Sequence, residues 1–130
     1  MRILLADEEP RVRSAIRLFL EQRCEADVVL EVSNIQELME CIENYKPDVL
    51  MIDWHLTGQV PQKVFTVLRS LCPNVVTIML DSEPETQQIA LEAGADYFVG
   101  KNEPPENLLF AIKNSRCPEG KNSKRVLTDL

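Results

Sequence analysis

With 130 residues and 45% hydrophobic content, the chain can build one domain with a substantial core but not two. Its net charge of -7 argues against sequence-independent nucleic-acid binding by this segment, because phosphate contacts need a basic face. No apolar run approaches the roughly 20 residues of a membrane span, and the apolar part of MRILLADEEP is too short for a signal peptide, so the expectation is a soluble, cytoplasmic chain with no membrane partner.

In chain order, apolar runs alternate with helical patterns. Residues 3–6 read as a buried strand. Pro10 suits the first turn of a helix whose inner face is Val12, Ile16, Phe19 and Leu20. Val28, Leu30 and Val32 alternate with less buried positions, as in an edge strand. Asn34 is placed to cap a second helix, with Leu38, Cys41, Ile42 and Tyr45 facing inward and Pro47 ending it. Residues 49–52 are uniformly apolar and predict a central strand. Pro61 opens a third helix with Val64, Leu68 and Leu71 inward, and residues 75–80 form the fourth strand. Ser82, Glu83, Pro84 and Glu85 make a capping-box pattern that starts a fourth helix there, closed by Gly94 in the αL position. Residues 97–99 are a short fifth strand, and Pro104 and Pro105 open a last helix carrying Leu108, Leu109 and Ile112. The domain is expected to span residues 1–117. Residues 118–130, PEGKNSKRVLTDL, change in composition and read as a linker. Cys24, Cys41, Cys72 and Cys117 are far apart, lack a C-x-x-C pair, and read as free packed thiols.

The result is an α/β class chain of the form (βα)5. Strands joined by single helices run parallel, with right-handed crossovers and helices on both faces. Ligand sites in such sheets lie at the carboxyl ends of the strands. That edge carries Asp7 and Glu8 after strand one, Asp53 after strand three, Asp81 after strand four and Lys101 after strand five. If strands one and three are neighbours, Asp7, Glu8 and Asp53 converge, and three carboxylates repel unless a cation is bound or a proton taken up. Mg²⁺ suits such oxygen ligands. A carboxylate so placed can also attack phosphorus to give an aspartyl phosphate, with Lys101 supplying positive charge for the phosphoryl oxygens. Any one of these acids alone reads as a helix cap or a solvated turn residue. Four charged positions on one edge favour a site.

The segments LLADEEPRVR, PDVLMIDWHLTG, ALEAGADYFVGK and PPENLLFAI, in that order and spacing, resemble the receiver domain of bacterial two-component response regulators. The resemblance covers residues 1–116 and implies a flavodoxin-like fold, a five-stranded parallel sheet in order 2-1-3-4-5. It makes Asp53 the phosphoacceptor and Asp7, Glu8 and Asp53 the ligands of Mg²⁺, together with the backbone carbonyl of His55. Lys101 becomes the group that steadies the phosphoryl oxygens. An imidazole is an unusual ligand for Mg²⁺, so the His55 side chain is expected to be exposed, and Trp54 to pack over the loop. The implied partner is a sensor histidine kinase, whose phosphohistidine donates the group. The domain is then a phosphoacceptor that catalyses only its own phosphorylation and dephosphorylation, not a conventional enzyme.

The chain departs from that family at its switch positions. Asp81 stands where the family has Ser or Thr, and an ionised carboxylate there cannot donate a hydrogen bond to a phosphoryl oxygen and would repel it. It is expected to face Asp53 as a fourth negative charge. Ser82 comes one residue late with its hydroxyl engaged as a cap, Phe98 takes the switch aromatic position beside Tyr97, and Asn102 after Lys101 removes the expected cis peptide. The alternative reading is therefore a receiver-like interaction module that works without phosphorylation. IDWHLTG also partly resembles the loop of haloacid-dehalogenase-like phosphatases, but His55 replaces their second acid. A flavin carrier would need a Ser/Thr/Gly-rich phosphate loop after strand one. The final RVLTDL looks like the opening of the helix-turn-helix domain that follows NarL-type receivers, which would place DNA contact and transcription regulation outside residues 1–117. A homodimer is left open.

Overall fold

The computed structural model describes residues 1–23, 27–115 and 125–126. Its elements are β1 (Arg2–Ala6), α1 (Pro10–Arg23), β2 (Asp27–Val32), α2 (Ile35–Tyr45), β3 (Val49–Asp53), a 3-10 turn (Trp54–Thr57), α3 (Pro61–Leu71), β4 (Val76–Asp81), α4 (Thr86–Ala93), β5 (Tyr97–Gly100), α5 (Glu106–Ser115) and β6 (Arg125–Val126). All strand pairs are parallel, in the order β2-β1-β3-β4-β5-β6. The first five strands follow the 2-1-3-4-5 order. The two-residue β6 beside Tyr97 and Phe98 was not foreseen, since its residues fall in the expected linker. The rest of that linker, Cys24 and Cys117 lie outside the described residues.

Strand side chains alternate between the two faces of the sheet, so each strand feeds two cores. Leu4, Ala6, Leu50, Ile52, Met79 and Phe98 pack against Leu38 and Ile42 of α2, Phe65 and Leu68 of α3 and Ala90 of α4. Ile3, Leu5, Met51, Ile78, Leu80 and Val99 pack against Leu20 of α1 and Leu108 and Ile112 of α5. β3, with all five residues buried, is the central strand expected from its unbroken apolar run.

Asn34 does cap α2. Its Oδ1 accepts from the Glu37 N–H at 2.8 Å, and Glu37 Oε1 accepts from the Ser33 N–H at 2.9 Å, which fills orphan donors from both directions. Tyr45, expected on the inner face, is 41% exposed instead, because α2 ends there and Lys46 turns the chain with φ 45°. The expected α3 face missed Phe65, which is buried while Val64 and Leu71 are only partly so. Gly94 ends α4 at φ 131°, beyond αL but still a glycine conformation, and a Cβ there would lie 3.0 Å from the Phe65 Cβ.

The capping box at Ser82 does not form. Residues 83–85 make a turn, Glu85 gives no side-chain cap, and α4 begins only at Thr86. The physical reason lies in Thr86, whose hydroxyl is drawn back to the carboxylate that ends β4. Cys72 is buried and Cys41 partly so, both as thiols. Among the described residues no helix is long and apolar enough to cross a membrane, and no peptide bond is cis.

Candidate functional site at the carboxyl edge of the sheet

The register of β1 with β3 pairs Ala6 with Ile52, so the next residues, Asp7 and Asp53, come level at the end of two adjacent strands. Both carboxylates are buried, each residue being 3% exposed. Asp7 continues the sheet, its N–H donating to the Val32 carbonyl at 3.1 Å, and its Oδ1 accepts from the Glu9 N–H at 2.9 Å. Its own carbonyl accepts from the Arg13 guanidinium.

Lys101 follows β5 and is anchored by its N–H, which donates to the Asp81 carbonyl at 2.7 Å. From there its side chain spans β4 to reach both acids. Nζ donates to Asp7 Oδ2 at 2.9 Å and lies 2.8 Å from Asp53 Oδ1. The second contact is an ion pair without a well-directed hydrogen bond, so Asp53 Oδ1 is a buried acceptor with no aligned donor.

Burial pushes the Asp53 carboxyl above the ordinary aspartate value of 3.8; Lys101 pulls it back, Asp7 adds to the rise, and the net displacement is upward. For Lys101, burial works to lower the pKa, but Asp53 and Asp7 outweigh it and hold the ammonium above its ordinary value. Between 3.8 and the raised folded value, the native state binds more protons than the unfolded chain, so stability falls as pH rises through that window. Asp53→Asn is expected to remove this fall. Urea unfolding in a metal chelator at several pH values, from about 3.5 to about 7, reads it as the difference between the two proteins' pH profiles. Parallel profiles would mean that Asp53 titrates as an ordinary carboxylate.

Glu8 is exposed and takes no part in this ion network. The His55 side chain is exposed as expected, at 68%, with Nε2 3.4 Å from Asp81 Oδ1. Trp54 and Leu56 pack partly buried against the core, and Thr57 Oγ1 donates to the Trp54 carbonyl at 2.7 Å to close the turn. Asp81 is 2% exposed, and its Oδ2 accepts from Thr86 Oγ1 at 2.5 Å. One of its oxygens is thus taken up by Thr86, and the other faces the exposed His55 imidazole. Ser82 is exposed and contributes its carbonyl to Asn102 Nδ2 at 3.3 Å. Phe98 is fully buried on the α2–α4 side and Tyr97 on the other. Thr86 is the residue that sequence reasoning missed. The available signal was a threonine five positions after a strand-ending acid, but the capping box at Ser82 masked it.

The donor chemistry fits a small hard cation. Mg²⁺ uses one or two carboxylates and completes its shell with water and phosphate oxygens. Asp7 and Asp53 supply two buried carboxylates, and Asp53 Oδ1 still lacks an aligned donor. Among the described residues no three acidic, histidine or cysteine side chains are gathered into a metal cluster, because Lys101 stands between the two buried acids and Glu8 is turned to solvent.

The chain matches the family model of the response regulator receiver domain over residues 3–113. It is 29% identical over 119 residues to the nitrate/nitrite response regulator protein NarL of Escherichia coli (strain K12), covering 90% of this chain and 55% of the relative. It is 30% identical over 115 residues to the phosphate regulon transcriptional regulatory protein PhoB of Pseudomonas aeruginosa, covering 85% and 49%. The chain therefore spans about half the length of these curated relatives. Its fold matches the isolated REC domain of RcsB from Salmonella enterica serovar Typhimurium with a TM-score of 0.80 at 23% identity, covering 97% of this chain and 92% of that one. A LuxR-family two-component response regulator from Aurantimonas sp. SI85-9A1 gives 0.79 at 25% identity, covering 96% and 87%. The family match runs from β1 into α5, across every strand end that carries a site residue, and the chain belongs to the response regulator receiver domain family.

Proposed function

We propose that this receiver domain takes a phosphoryl group on Asp53 from the phosphohistidine of a sensor histidine kinase and passes the signal to an output domain or partner. The observation that carries the reading is a buried carboxylate at the end of the central strand with a fixed ammonium 2.8 Å away. An Asp53 oxygen attacks phosphorus, the bond from phosphorus to the donor imidazole nitrogen breaks, and that nitrogen leaves with the electron pair. Lys101 is already held where negative charge gathers on the transferred oxygens. Asp7, Asp53 and the His55 carbonyl, joined by Glu8 once its carboxylate turns in from solvent, are the residues that would hold Mg²⁺, which when bound would neutralise charge on the phosphoryl oxygens.

The domain limits, 1–117 with a linker beyond, belong to this reading. So do a cytoplasmic location, homodimer formation, and DNA binding and transcription regulation through a C-terminal domain opened by RVLTDL, a segment largely outside the described residues. Support comes from the relatives, one of which is named a transcriptional regulatory protein.

A second reading, an interaction module independent of phosphorylation, is favoured by one observation. Asp81 offers a carboxylate, already bonded to Thr86, where the family has a hydroxyl. One experiment separates the two. Incubation with acetyl phosphate and Mg²⁺, followed by intact mass, is expected to add one phosphoryl group to wild type and none to Asp53→Ala. Label retained in Asp53→Ala would move the acceptor elsewhere. No label from acetyl phosphate, phosphoramidate or any kinase would favour the second reading.

A further inference from the structure

We propose that Thr86 is a positioning residue for phosphoryl transfer: its hydroxyl, together with the His55 imidazole, holds the Asp81 carboxylate away from Asp53. The inference rests on Asp53 being the phosphoacceptor.

Asp81 ends β4 beside the end of β3, where the pairing Asp53↔Leu80 leaves it one residue beyond the phosphoacceptor's own partner. A negative charge in that position opposes an incoming phosphoryl dianion. A carboxylate that is 2% exposed also has no water to satisfy it and must find donors in the protein. It finds the Thr86 hydroxyl, with the exposed His55 imidazole beside it. Thr86 Oγ1 donates into Oδ2 at 2.5 Å, at the short end of the range for a hydroxyl donor. His55 Nε2 lies 3.4 Å from Oδ1. Thr86 is itself buried and is the first residue of α4, so the same bond sets where that helix begins.

Without the hydroxyl, Oδ2 becomes a buried acceptor lacking its donor. The ammonium at this edge of the sheet is Lys101, which Asp53 and Asp7 already share. A released Asp81 carboxylate competes for that ammonium and brings its charge towards the phosphoacceptor. Thr86 therefore acts on the reaction through Asp81 and does not touch the transferred group. The presence of an acid at the end of β4 thus becomes compatible with phosphorylation of its neighbour.

The test measures the rate of labelling by acetyl phosphate at fixed Mg²⁺ in wild type, Thr86→Val, Thr86→Ser and the double variant Thr86→Val with Asp81→Asn. A hydrogen bond to a charged acceptor is lost, so Thr86→Val is expected to slow labelling at least about tenfold. Thr86→Ser keeps the hydroxyl and is expected to match wild type. The double variant removes the released charge and is expected to recover the wild-type rate, which a merely structural role for Thr86 would not produce. Wild-type labelling in Thr86→Val, or slow labelling that Asp81→Asn fails to relieve, overturns the proposal. If wild type takes no label at all, the phosphoacceptor reading fails separately, and amide exchange still reads the Thr86–Asp81 bond. Exchange of residues 90–93 in α4 is then expected to be at least about tenfold faster in Thr86→Val than in wild type or Thr86→Ser. Equal exchange in all three sinks the bond and the proposal with it.

Discussion

Lys101→Met is expected to slow labelling of Asp53 by a small phosphodonor about a hundredfold to a thousandfold. The side chain is the one cation whose ammonium reaches both buried carboxylates of the site among the described residues, at 2.9 Å from Asp7 and 2.8 Å from Asp53. A fixed charge in a partly buried pocket does more than one in water, because nothing must reorganise when the transferred oxygens become more negative. Two losses combine in the variant. The transition state loses its cation, and Asp53 and Asp7 are left facing each other without a counter-charge, which pushes the nucleophile further towards its protonated, unreactive form. Methionine keeps an apolar stem at the cleft between α1 and α5, which Lys101 lines together with Val12, Leu80, Val99 and Leu108, so the fold is expected to persist. Lys101→Arg restores the charge but replaces a compact ammonium with a planar fork, and only partial recovery is expected. Labelling time courses read by intact mass decide the matter. A Lys101→Met rate within about threefold of wild type would remove Lys101 from any electrostatic role.

The parts of this site that sequence makes legible share a cause. Asp7, Asp53, Asp81 and Lys101 each directly follow or end an apolar strand, and a parallel sheet with single-helix crossovers puts every strand's carboxyl end on one edge. Their convergence therefore follows from topology, and no side-chain geometry is needed to foresee it. What sequence does not carry is the direction of a side chain once it is there. Asp81 could turn to Asp53, to water or to a neighbour, and the choice depends on Thr86, a residue in another element. The false capping box has the same origin. Ser82 and Glu85 have the right spacing for one, yet a buried carboxylate competes for the start of α4 and moves it to Thr86. Phe65 and Tyr45 show the limit of helical periodicity, because a helix's orientation on the sheet decides which edge of its apolar stripe is covered.

At the opposite edge of the sheet, Asp96→Ala is expected to lower stability by about 3 kcal/mol, a large fraction of what a domain of this size has. Asp96 belongs to the GAD step within ALEAGADYFVGK, where sequence alone suggests only a turn into β5. The structure makes it the acceptor of a buried junction. Its Oδ2 takes the Thr77 N–H at 2.9 Å, the Thr77 hydroxyl at 3.3 Å and the Arg69 guanidinium at 2.9 Å. Arg69 also donates to the Val75 carbonyl at 2.9 Å and the Gly94 carbonyl at 3.0 Å, so one side chain from α3 ties together the entries of β4 and β5. Truncation to alanine leaves the amide and hydroxyl of Thr77 in the core without that acceptor and a guanidinium without its counter-ion. The guanidinium is one-third exposed and recovers part of its solvation from water, which sets the figure at the lower end of the range for breaking a buried pair. Asp96→Asn preserves a carbonyl acceptor in the same position and is expected to lose less than half as much. Urea unfolding at neutral pH measures both. The junction lies at the far ends of β4 and β5 from Asp53, so labelling of the folded Asp96→Asn variant is expected to proceed at the wild-type rate. A loss below about 1 kcal/mol in Asp96→Ala would show that water or a rearranged Arg69 satisfies Thr77, and that the junction holds these strands less firmly than its geometry implies.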